Sequence, residues 1–406
     1  MTNLPLKGIR VADFTWIGAG SFTTKLLADF GADVIKIESR ERLDSLRLSR
    51  PFKDGVSGVN RSGYFADRNT SKRSITLNLK HDKGQELARQ LIATSDVVAN
   101  NFTPGTMEKF GLGYDAVRQI KADIVYLAMS MQGATGPHHR YLGYGLTIGA
   151  LTGLQFLSGL PDREPAGTGT NYPDHIPNPC HAVFATLAAL RHRRRTGEGQ
   201  FIDVAQTEPT VALLGPAVVH HAVNGELSTR SGNQRLPAFP HGVFPCAGED
   251  SWIAIAVHSD AMWGALLGVL GGPAWLREPA LSRQDGRVAR CTEIDVAIAI
   301  ETRSWNAQAL MVSLQSVGVA AGVVRNAADI VCSDPQLRYR GHWVYLDHAE
   351  MGSAIYNAPP FRMSQSGATP VSAAPLLGEH TDDVCRGILG LSSVEIETLR
   401  CVGALT

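Results

Sequence analysis

Residues 5–40, PLKGIRVADFTWIGAGSFTTKLLADFGADVIKIESR, decide the fold of the first part of the chain. The apolar run at 8–14 predicts a buried strand, and TWIGAGS at 15–21 predicts a loop. Residues 22–30 carry apolar side chains at helical spacing, and DVIKIE at 33–38 predicts a second strand. A strand, a helix and a strand in this order predict two parallel strands joined by a crossover helix.

The same alternation continues through the first half of the chain and is typical of an α/β domain with a central, mostly parallel sheet. Further strands are predicted over 73–79, 97–101, 123–129 and 201–204, and helices over 85–94, 107–111, 114–121 and 183–195. Later segments are predicted as a long apolar helix at 206–225, a smaller α/β domain at 226–330 and an irregular stretch at 340–375. Ser392, with Glu395 three residues later, predicts a capping box at the start of the last helix.

Charge and cysteine content exclude several classes of function. The 406 residues include 38 basic and 38 acidic side chains, so the chain lacks the positive field that a nucleic-acid partner requires. The six cysteines are scattered without a C-x-x-C pair, which argues against a disulfide framework and a zinc site. The sequence has neither the apolar segment of a signal peptide nor an apolar run of about 18 residues, so we expect a cytoplasmic protein without a membrane span.

The tripeptide Gly18-Ala19-Gly20 follows the first strand, and Glu38 ends the second, as in a dinucleotide-binding unit. The full fingerprint G-x-G-x-x-G/A needs a third small residue, but Thr23 occupies that position. The motif is therefore weak evidence for a nicotinamide-dependent dehydrogenase. Small residues at a helix N-terminus still allow a ligand to approach the backbone amides.

Several stretches of the chain together resemble the class III (CaiB/BaiF) CoA-transferases, in the order that the family has them. They are residues 5–40, NTSKRSITLNLKHDKGQE at 69–86, NNFTPGTMEKFGLGYD at 100–115, AALRHRRRTGEGQFIDVAQTEP at 188–209 and PLLGEHTDDV at 375–384. Within the family, GTGTNYPDHIPNPCHA at 167–182 is most similar to the F-type subunit of benzylsuccinate CoA-transferase.

The resemblance implies a large Rossmann-like domain made of residues 1–205 and 340–406, a linker helix at 206–225 and a small α/β domain at 226–330. It also implies that two chains thread through one another as interlocked rings, either in a homodimer or with a related second subunit. The implied activity moves CoA from an acyl-CoA donor such as succinyl-CoA to a carboxylic acid, here (R)-2-benzylsuccinate of anaerobic toluene degradation. Coenzyme A would take part as the acyl-CoA substrate, without a metal or a redox cofactor.

Asp174, in NYPDHIPNP, matches the catalytic carboxylate of the family. On the residues alone, this aspartate is better explained as a turn residue or helix cap. The resemblance instead implies that it forms an aspartyl anhydride and then an aspartyl-CoA thioester. An enzyme carboxylate splits the slow exchange between two acids into easier covalent steps. A following helix N-terminus would favour its ionised form.

The resemblance further implies a set of CoA contacts and an acyl pocket. The CoA contacts are Ile17, Gly18, Ala19, Arg40, Leu77, Asn101, Phe102 and Lys109, and the pocket residues are Trp16, Tyr144, Tyr172 and Phe239. Solvated surface charge explains Arg40 and Lys109 as an alternative, and core packing explains the aromatic residues about as well. Formyl-CoA:oxalate enzymes carry Gln in place of Gly18, which favours an acyl group bulkier than oxalate here.

A CoA-transferase that uses another dicarboxylate or an aryl acid stays open on the sequence, and so do two further functions. The α-methylacyl-CoA racemases use an aspartate equivalent to Asp174 together with a histidine, where this chain has Tyr144. Racemisation needs two acid/base groups that flank the α-carbon, and tyrosine is a poor base near neutral pH. The other alternative is a catalytically idle subunit of a heteromer, against which the presence of Asp174 argues.

Overall fold

The computed structural model of the protein describes residues 4–234 and 238–406. The chain divides into two compact units. The first consists of Met1–Gln155, Gly167–Ser228 and Gln336–Thr406, and the second of Phe156–Ala166 and Thr229–Pro335. The segment Phe156–Ala166 therefore belongs to the second unit, whereas the sequence interpretation includes it in the large domain.

A six-stranded sheet, parallel throughout, forms the centre of the first unit. Its strands are β1 (Arg10–Asp13), β2 (Asp33–Glu38), β3 (Arg73–Thr76), β4 (Val97–Asn100), β5 (Val125–Ala128) and β6 (Gln200–Asp203). The order β3-β2-β1-β4-β5-β6 is that of a Rossmann fold, in which ligands bind where the strand order reverses, between β1 and β4. The predicted α/β fold with a parallel central sheet is confirmed.

Helices connect these strands and continue beyond the last one. They are α1 (Ile17–Asp29), α2 (Gly63–Arg68), α3 (Asp82–Ala93), α4 (Thr106–Lys109), α5 (Tyr114–Ile120), α6 (Gly145–Leu151), α7 (Tyr172–His175), α8 (Pro177–Thr196), α9 (Thr207–Leu213) and α10 (Gly215–Asn224). Helix α1 begins earlier than predicted, so part of the expected loop is its first turn. The small residues there are required by packing, since a Cβ at Gly20 would lie 2.6 Å from the Thr15 Cβ.

Both faces of the parallel sheet are covered, as its apolar strands require. On one face, Val11, Val34 and Val97 pack with residues of α1 and α8. On the other face, Ile35 and Ile75 pack with residues of α3, α5 and the C-terminal segment. This double covering leaves the carboxyl ends of the strands as the place where polar side chains can meet a ligand.

The second unit is a small α/β unit with its own core. Its antiparallel strands are β7 (His241–Pro245), β8 (Trp252–Ala256) and β9 (Ala320–Val323), and its helices are α11 (Asp260–Leu270), α12 (Gln284–Ala289), α13 (Cys291–Thr302) and α14 (Ala307–Ser316). Apolar side chains from the sheet and the helices, among them Ile253, Trp263 and Leu310, fill its interior.

The C-terminal part of the chain contains α15 (Pro335–Arg340), a hairpin of β10 (Trp343–His348) and β11 (Gly352–Asn357), α16 (Thr381–Gly387) and α17 (Ser393–Cys401). The prediction that 340–375 is irregular is therefore wrong for the hairpin. A two-stranded hairpin is marginal alone, and this one is stabilised by Met351 and Tyr356, which pack against Leu46 and Phe65. The capping box of Ser392 and Glu395 is confirmed.

The apolar segment predicted as one helix at 206–225 forms two helices, α9 and α10, which meet at Leu214. Pro216, in the first turn of α10, explains the break, because proline fits the start of a helix but not its interior. Within the described ranges, no helix combines the length and apolar character that a membrane crossing requires.

Candidate active site

Asp174 lies on the short helix α7, immediately before α8. Pro173 precedes it and Pro177 opens α8, and both prolines stand in the first turn of a helix, where they are favourable. Pro177 also explains why α8 begins earlier than its apolar pattern predicts. The side chain of Asp174 is held at this junction with only 3% of the residue exposed.

Two glycines at the N-termini of other helices enclose the Asp174 carboxyl group. A Cβ at Gly18, in the first turn of α1, would lie 3.0 Å from the Asp174 Cβ and 3.2 Å from its Oδ2. A Cβ at Gly145, the first residue of α6, would lie 2.8 Å from the same oxygen. The positive ends of two helices therefore meet at this carboxyl group, where they favour a negative charge.

Burial has the largest effect on the ionisation of Asp174. It raises the pKa of the carboxyl to about 6, against the opposing effects of the Gly145 backbone N–H and the Arg68 charge. The carboxylate therefore predominates near neutral pH, and an ionised carboxylate is the nucleophilic form. The carboxyl group of Asp174 is therefore both buried and ionised near neutral pH.

A cavity of about 390 Å³ opens beside Asp174 within the first unit. Its wall combines apolar and aromatic side chains with a few polar and charged groups, which is typical of a small-molecule site. The lining includes Phe14, Trp16, Leu77, Phe102, Arg42, Lys80 and Asp174. The cavity therefore offers a mostly apolar surface on which Asp174 is a buried carboxyl group, while the other buried carboxyl group of the lining, Glu38, is paired with Arg47.

Asn101 fixes one wall of this cavity by forming two hydrogen bonds to the backbone of Trp16. Its Oδ1 accepts the Trp16 N–H at 2.8 Å, and its Nδ2 donates to the Trp16 carbonyl at 2.7 Å. The Trp16 ring meets Phe102 edge to face, with 5.5 Å between ring centroids, and Arg42 lies 5.1 Å from its centroid. The side-chain amide of Asn101 is thus used to orient an aromatic wall.

Ile17, the next residue, has a φ of 58°, a strained conformation for a β-branched side chain. The buried Asp44 accepts its N–H at 3.1 Å. Lys36 lies 3.1 Å from the other Asp44 oxygen and donates to the Thr15 carbonyl at 2.7 Å. These contacts hold the turn that delivers Gly18 to Asp174, which accounts for strain at this position.

Comparison with known proteins identifies the family. A protein-family model described as CoA-transferase family III matches residues 6–381 of the chain. The chain belongs to CoA-transferase family III. It is 34% identical to the succinate–glutarate CoA-transferase of Agrobacterium fabrum, over 94% of each chain. It is 31% identical to the succinyl-CoA–L-malate CoA-transferase beta subunit of Chloroflexus aurantiacus, over 98% of each chain.

A solved structure of a CaiB/BaiF family protein from Brucella suis resembles the fold with a TM-score of 0.87. Its sequence is 31% identical, and the match covers 95% of this chain and 100% of the other. The predicted family is confirmed, and the protein is a CoA-transferase. The same finding overturns the dehydrogenase alternative.

Most of the residues predicted to contact CoA line the cavity of this CoA-transferase. Those at the cavity are Ile17, Gly18, Ala19, Leu77, Asn101 and Phe102, together with the predicted pocket residues Trp16 and Tyr144. Arg40 and Lys109 are exposed residues outside the cavity lining. The basic residues found in the lining are Arg42 and Lys80.

Two predicted pocket residues are not part of the lining of this cavity. Tyr172 is part of α7 but is absent from the lining, and 37% of it is exposed. Phe239 belongs to the second unit, where it is 3% exposed and packs with Phe244 and Trp263. Phe239 is therefore a core residue, which is the alternative that its sequence had left open.

The CoA-transferase site contains a polar cluster that the sequence did not reveal. Arg68 Nη2 lies 2.9 Å from His175 Nδ1, although 107 positions separate the two residues. The ring of Tyr64 meets the His175 ring edge to face. No local pattern signals such a contact, because it depends on how α2 and α7 pack.

The geometry also bears on the dehydrogenase and racemase alternatives. Arg47 donates to both Glu38 oxygens, at 2.8 and 2.7 Å, and both side chains are fully buried. Glu38 is therefore unavailable for the ribose contact of a dinucleotide site. None of the described residues that line the cavity is a histidine, so the second acid/base group that a racemase needs has no histidine candidate there.

The stability of the enzyme should reflect the burial of Asp174. We expect Asp174→Asn to raise the free energy of unfolding near pH 7 by about 2–3 kcal/mol, because burial raises the carboxyl pKa from 3.8 to about 6. In the wild type, the buried carboxylate lowers the free energy of unfolding by the full amount above the pKa of the folded state. This destabilisation disappears as the pH falls below the pKa of Asp174 in the unfolded chain. Urea titrations at several pH values should therefore show a gain that shrinks towards pH 4.

The exposed Asp162→Asn substitution is the control and should change the unfolding free energy little at any pH. A pH-independent difference between Asp174→Asn and the wild type, or a loss of stability near pH 7, would contradict the assignment of a buried, ionised carboxylate.

The glycine at the start of α6 is also testable. Gly145→Ala should lower the rate of CoA transfer by roughly a hundredfold, because the new methyl group displaces the Asp174 carboxylate. Gly149→Ala on the same helix is the matched control, since its Cβ would lie 3.5 Å from the Gln155 side chain, an ordinary contact. Steady-state rates, with circular dichroism to check folding, distinguish them. Equal rates for the two variants would refute the packing argument.

Proposed function

We propose that this enzyme moves CoA from succinyl-CoA to a second dicarboxylic acid through covalent intermediates on Asp174. The observation that carries the proposal is the buried carboxylate, enclosed by the N-termini of α1 and α6 beside a cavity. Relatives named succinate–glutarate and succinyl-CoA–L-malate CoA-transferases support this class of donor and acceptor.

In the first half-reaction, an Asp174 oxygen attacks the thioester carbon of succinyl-CoA. The C–S bond breaks, and CoA leaves as the thiolate while a mixed anhydride forms. The thiolate then attacks the Asp174 carbonyl carbon. The bond between that carbon and the bridging oxygen of the anhydride breaks, so succinate departs with an oxygen that belonged to Asp174, and an aspartyl-CoA thioester remains.

The second half-reaction reverses these steps with the acceptor acid. Its carboxylate attacks the aspartyl thioester and releases the CoA thiolate. The thiolate attacks the acceptor carbonyl of the new anhydride, which yields the acyl-CoA product and restores Asp174 with one acceptor oxygen. Each attack passes through an oxyanion, and the helix N-termini at Gly18 and Gly145 are suited to stabilise it.

The other cavity residues have proposed roles in holding CoA. Ile17, Gly18, Ala19 and Leu77 would line the path of the CoA chain, with Trp16 and Phe102 as an aromatic wall. Arg42 and Lys80 would meet the phosphates, since they are the basic side chains of the lining. Asn101 would act by holding Trp16 in place.

For the acceptor, we propose (R)-2-benzylsuccinate, an acid of anaerobic toluene degradation. The similarity of residues 167–182 to the F-type subunit of benzylsuccinate CoA-transferase supports it. Trp16 and Tyr144, which line the cavity beside Asp174, offer aromatic surface to a phenyl ring.

The enzyme is also proposed to work as an assembly of two family III chains. Helix α10 has no buried residue among those described, and Val218, Val219 and Val223 are 52%, 59% and 75% exposed. Apolar surface of this kind is normally covered in the functional protein. We propose that a second copy of this chain covers it in the interlocked manner of the family. A relative named as a beta subunit makes a related chain the other candidate.

Trapping the intermediates tests the mechanism. After incubation with succinyl-CoA and quenching with hydroxylamine, intact and peptide mass spectrometry should locate a hydroxamate on Asp174. Asp174→Ala should give no adduct, whereas Asp115→Ala, which changes an acidic residue outside the cavity, should react like the wild type. No adduct, combined with deuterium exchange at the α-carbon of a 2-methylacyl-CoA, would replace the transferase mechanism with a racemase.

The same preparations identify the acceptor. Initial rates with (R)-2-benzylsuccinate, glutarate and L-malate, each with succinyl-CoA, should be highest for benzylsuccinate because of its phenyl contacts. A clear preference for an acid without an aryl group would refute the benzylsuccinate proposal and leave the covalent mechanism standing.

The assembly has its own test in native mass spectrometry of the purified chain. The wild type should be a dimer, and Val223→Glu should shift it towards the monomer because a charge enters an apolar interface. Val394→Glu, at an equally exposed valine on α17, should leave the dimer intact. A monomeric wild type that pairs only with a related family III chain would indicate the heteromer instead.

A further inference from the structure

Helix α2 contacts the C-terminal end of the short helix that carries Asp174. Arg68, its last residue, contacts His175 at the end of α7 with 2.9 Å between Nη2 and Nδ1. The ring of Tyr64, one turn earlier, meets the His175 ring edge to face. A helix of this length has few internal hydrogen bonds and depends on outside contacts for its position. The contacts of Arg68 and Tyr64 with His175 are therefore among those that fix the position of α7.

The Arg68 side chain is itself fixed. Its Nη1 lies 2.7 Å from the Asp67 carboxylate, and its guanidinium carbon lies 4.4 Å from the Phe22 ring centroid. Asp67 in turn accepts a hydrogen bond from Asn357 at 3.0 Å. The guanidinium of Arg68 that contacts His175 is thus also held in place by an ion pair and an aromatic ring.

The contact also defines the state of His175. A guanidinium only donates, so His175 Nδ1 must accept and the ring proton must lie on Nε2. Burial, helped by the Arg68 charge, lowers the pKa of His175 to about 4. His175 is consequently neutral at the pH at which Asp174 ionises, and it adds no charge of its own.

The charged groups around Asp174 are few among the described residues. Helices α1 and α6 present glycines to it, and α8 carries Cys180 and His181 in its first two turns. From α2 come Tyr64, Asp67 and Arg68, of which Arg68 is the cation. A nearby positive charge favours the ionised form of a carboxyl group.

We propose that Arg68 is a positioning residue of the transfer reaction, a role that rests on the proposed nucleophile Asp174. It acts in two ways. Its hydrogen bond to His175 holds α7 so that the carboxylate faces the cavity, and its fixed charge keeps that carboxylate ionised. Arg68 does not belong to the cavity lining, so neither effect requires contact with CoA.

The test measures the rate of adduct formation on Asp174 against pH for four variants. Arg68→Met should slow it roughly tenfold to a hundredfold at high pH. The acid limb of the profile, which is the pH range in which the rate falls as Asp174 becomes protonated, should also move upwards by about one pH unit, because the cation is lost. Arg68→Lys should keep the wild-type limb and recover part of the rate. His175→Leu should lower the rate without moving the limb, and His175→Asn, which retains an acceptor, should recover it.

Binding of desulfo-CoA, followed by calorimetry, should be unchanged in all four variants, and Arg386→Met is the control for net charge. A wild-type rate and acid limb in Arg68→Met would overturn the proposal, as would an equal loss of CoA binding. If Arg68→Met does not fold, the two His175 variants decide, since equal rates in both would overturn the positioning role. An absent adduct in the wild type would instead refute the nucleophile itself.

Discussion

The contact between the Asp174 carboxyl group and the glycines at 18 and 145 is the constraint on which the site depends. No side chain fits between the carboxylate and either helix start. This close packing removes water from the carboxyl group, and the loss of water raises its pKa to about 6. The positive ends of α1 and α6 compensate in part, so the group remains ionised near neutral pH. A stabilised negative charge without bulk water suits a sequence of anhydride and thioester intermediates.

The Rossmann sheet explains why α1 can meet Asp174 in this way. Helix α1 follows β1 at the place where the strand order reverses, which is where such folds bind ligands. The turn before α1 is held by buried polar groups that would be costly without partners. Lys36 and Asp44 hold Thr15 and Ile17, and Asn101 holds Trp16 between them. The strain at Ile17 is thus maintained by side chains from β2, from the loop after it and from the end of β4.

Local patterns in the sequence predicted the fold well, because buried parallel strands appear as short apolar runs. They failed where tertiary packing decides. They do not indicate the start of α1, because the glycines at 18 and 20 are required by the space available rather than favoured by helix propensity. The β10–β11 hairpin was missed because its stability comes from packing against Leu46 and Phe65.

The site was less accessible to such patterns. Asp174 came from the family resemblance, since the residue alone would be taken for a turn. The basic residues of the cavity lining are Arg42 and Lys80, whereas Arg40 and Lys109 are exposed residues outside that lining. The sequence does not show which basic side chain of a loop lines a cavity, because this depends on the path of the loop in the folded protein. The contact between Arg68 and His175 joins distant segments and leaves no local signal.

The most direct test of the central claim is the transfer of oxygen. The enzyme would be turned over with succinyl-CoA and an acceptor acid labelled with oxygen-18 in its carboxyl groups, then digested for mass spectrometry. Covalent catalysis predicts that an acceptor oxygen enters the peptide that contains Asp174 and appears in succinate released in later turnovers. Turnover without label in that peptide would contradict the assignment of Asp174 as the nucleophile.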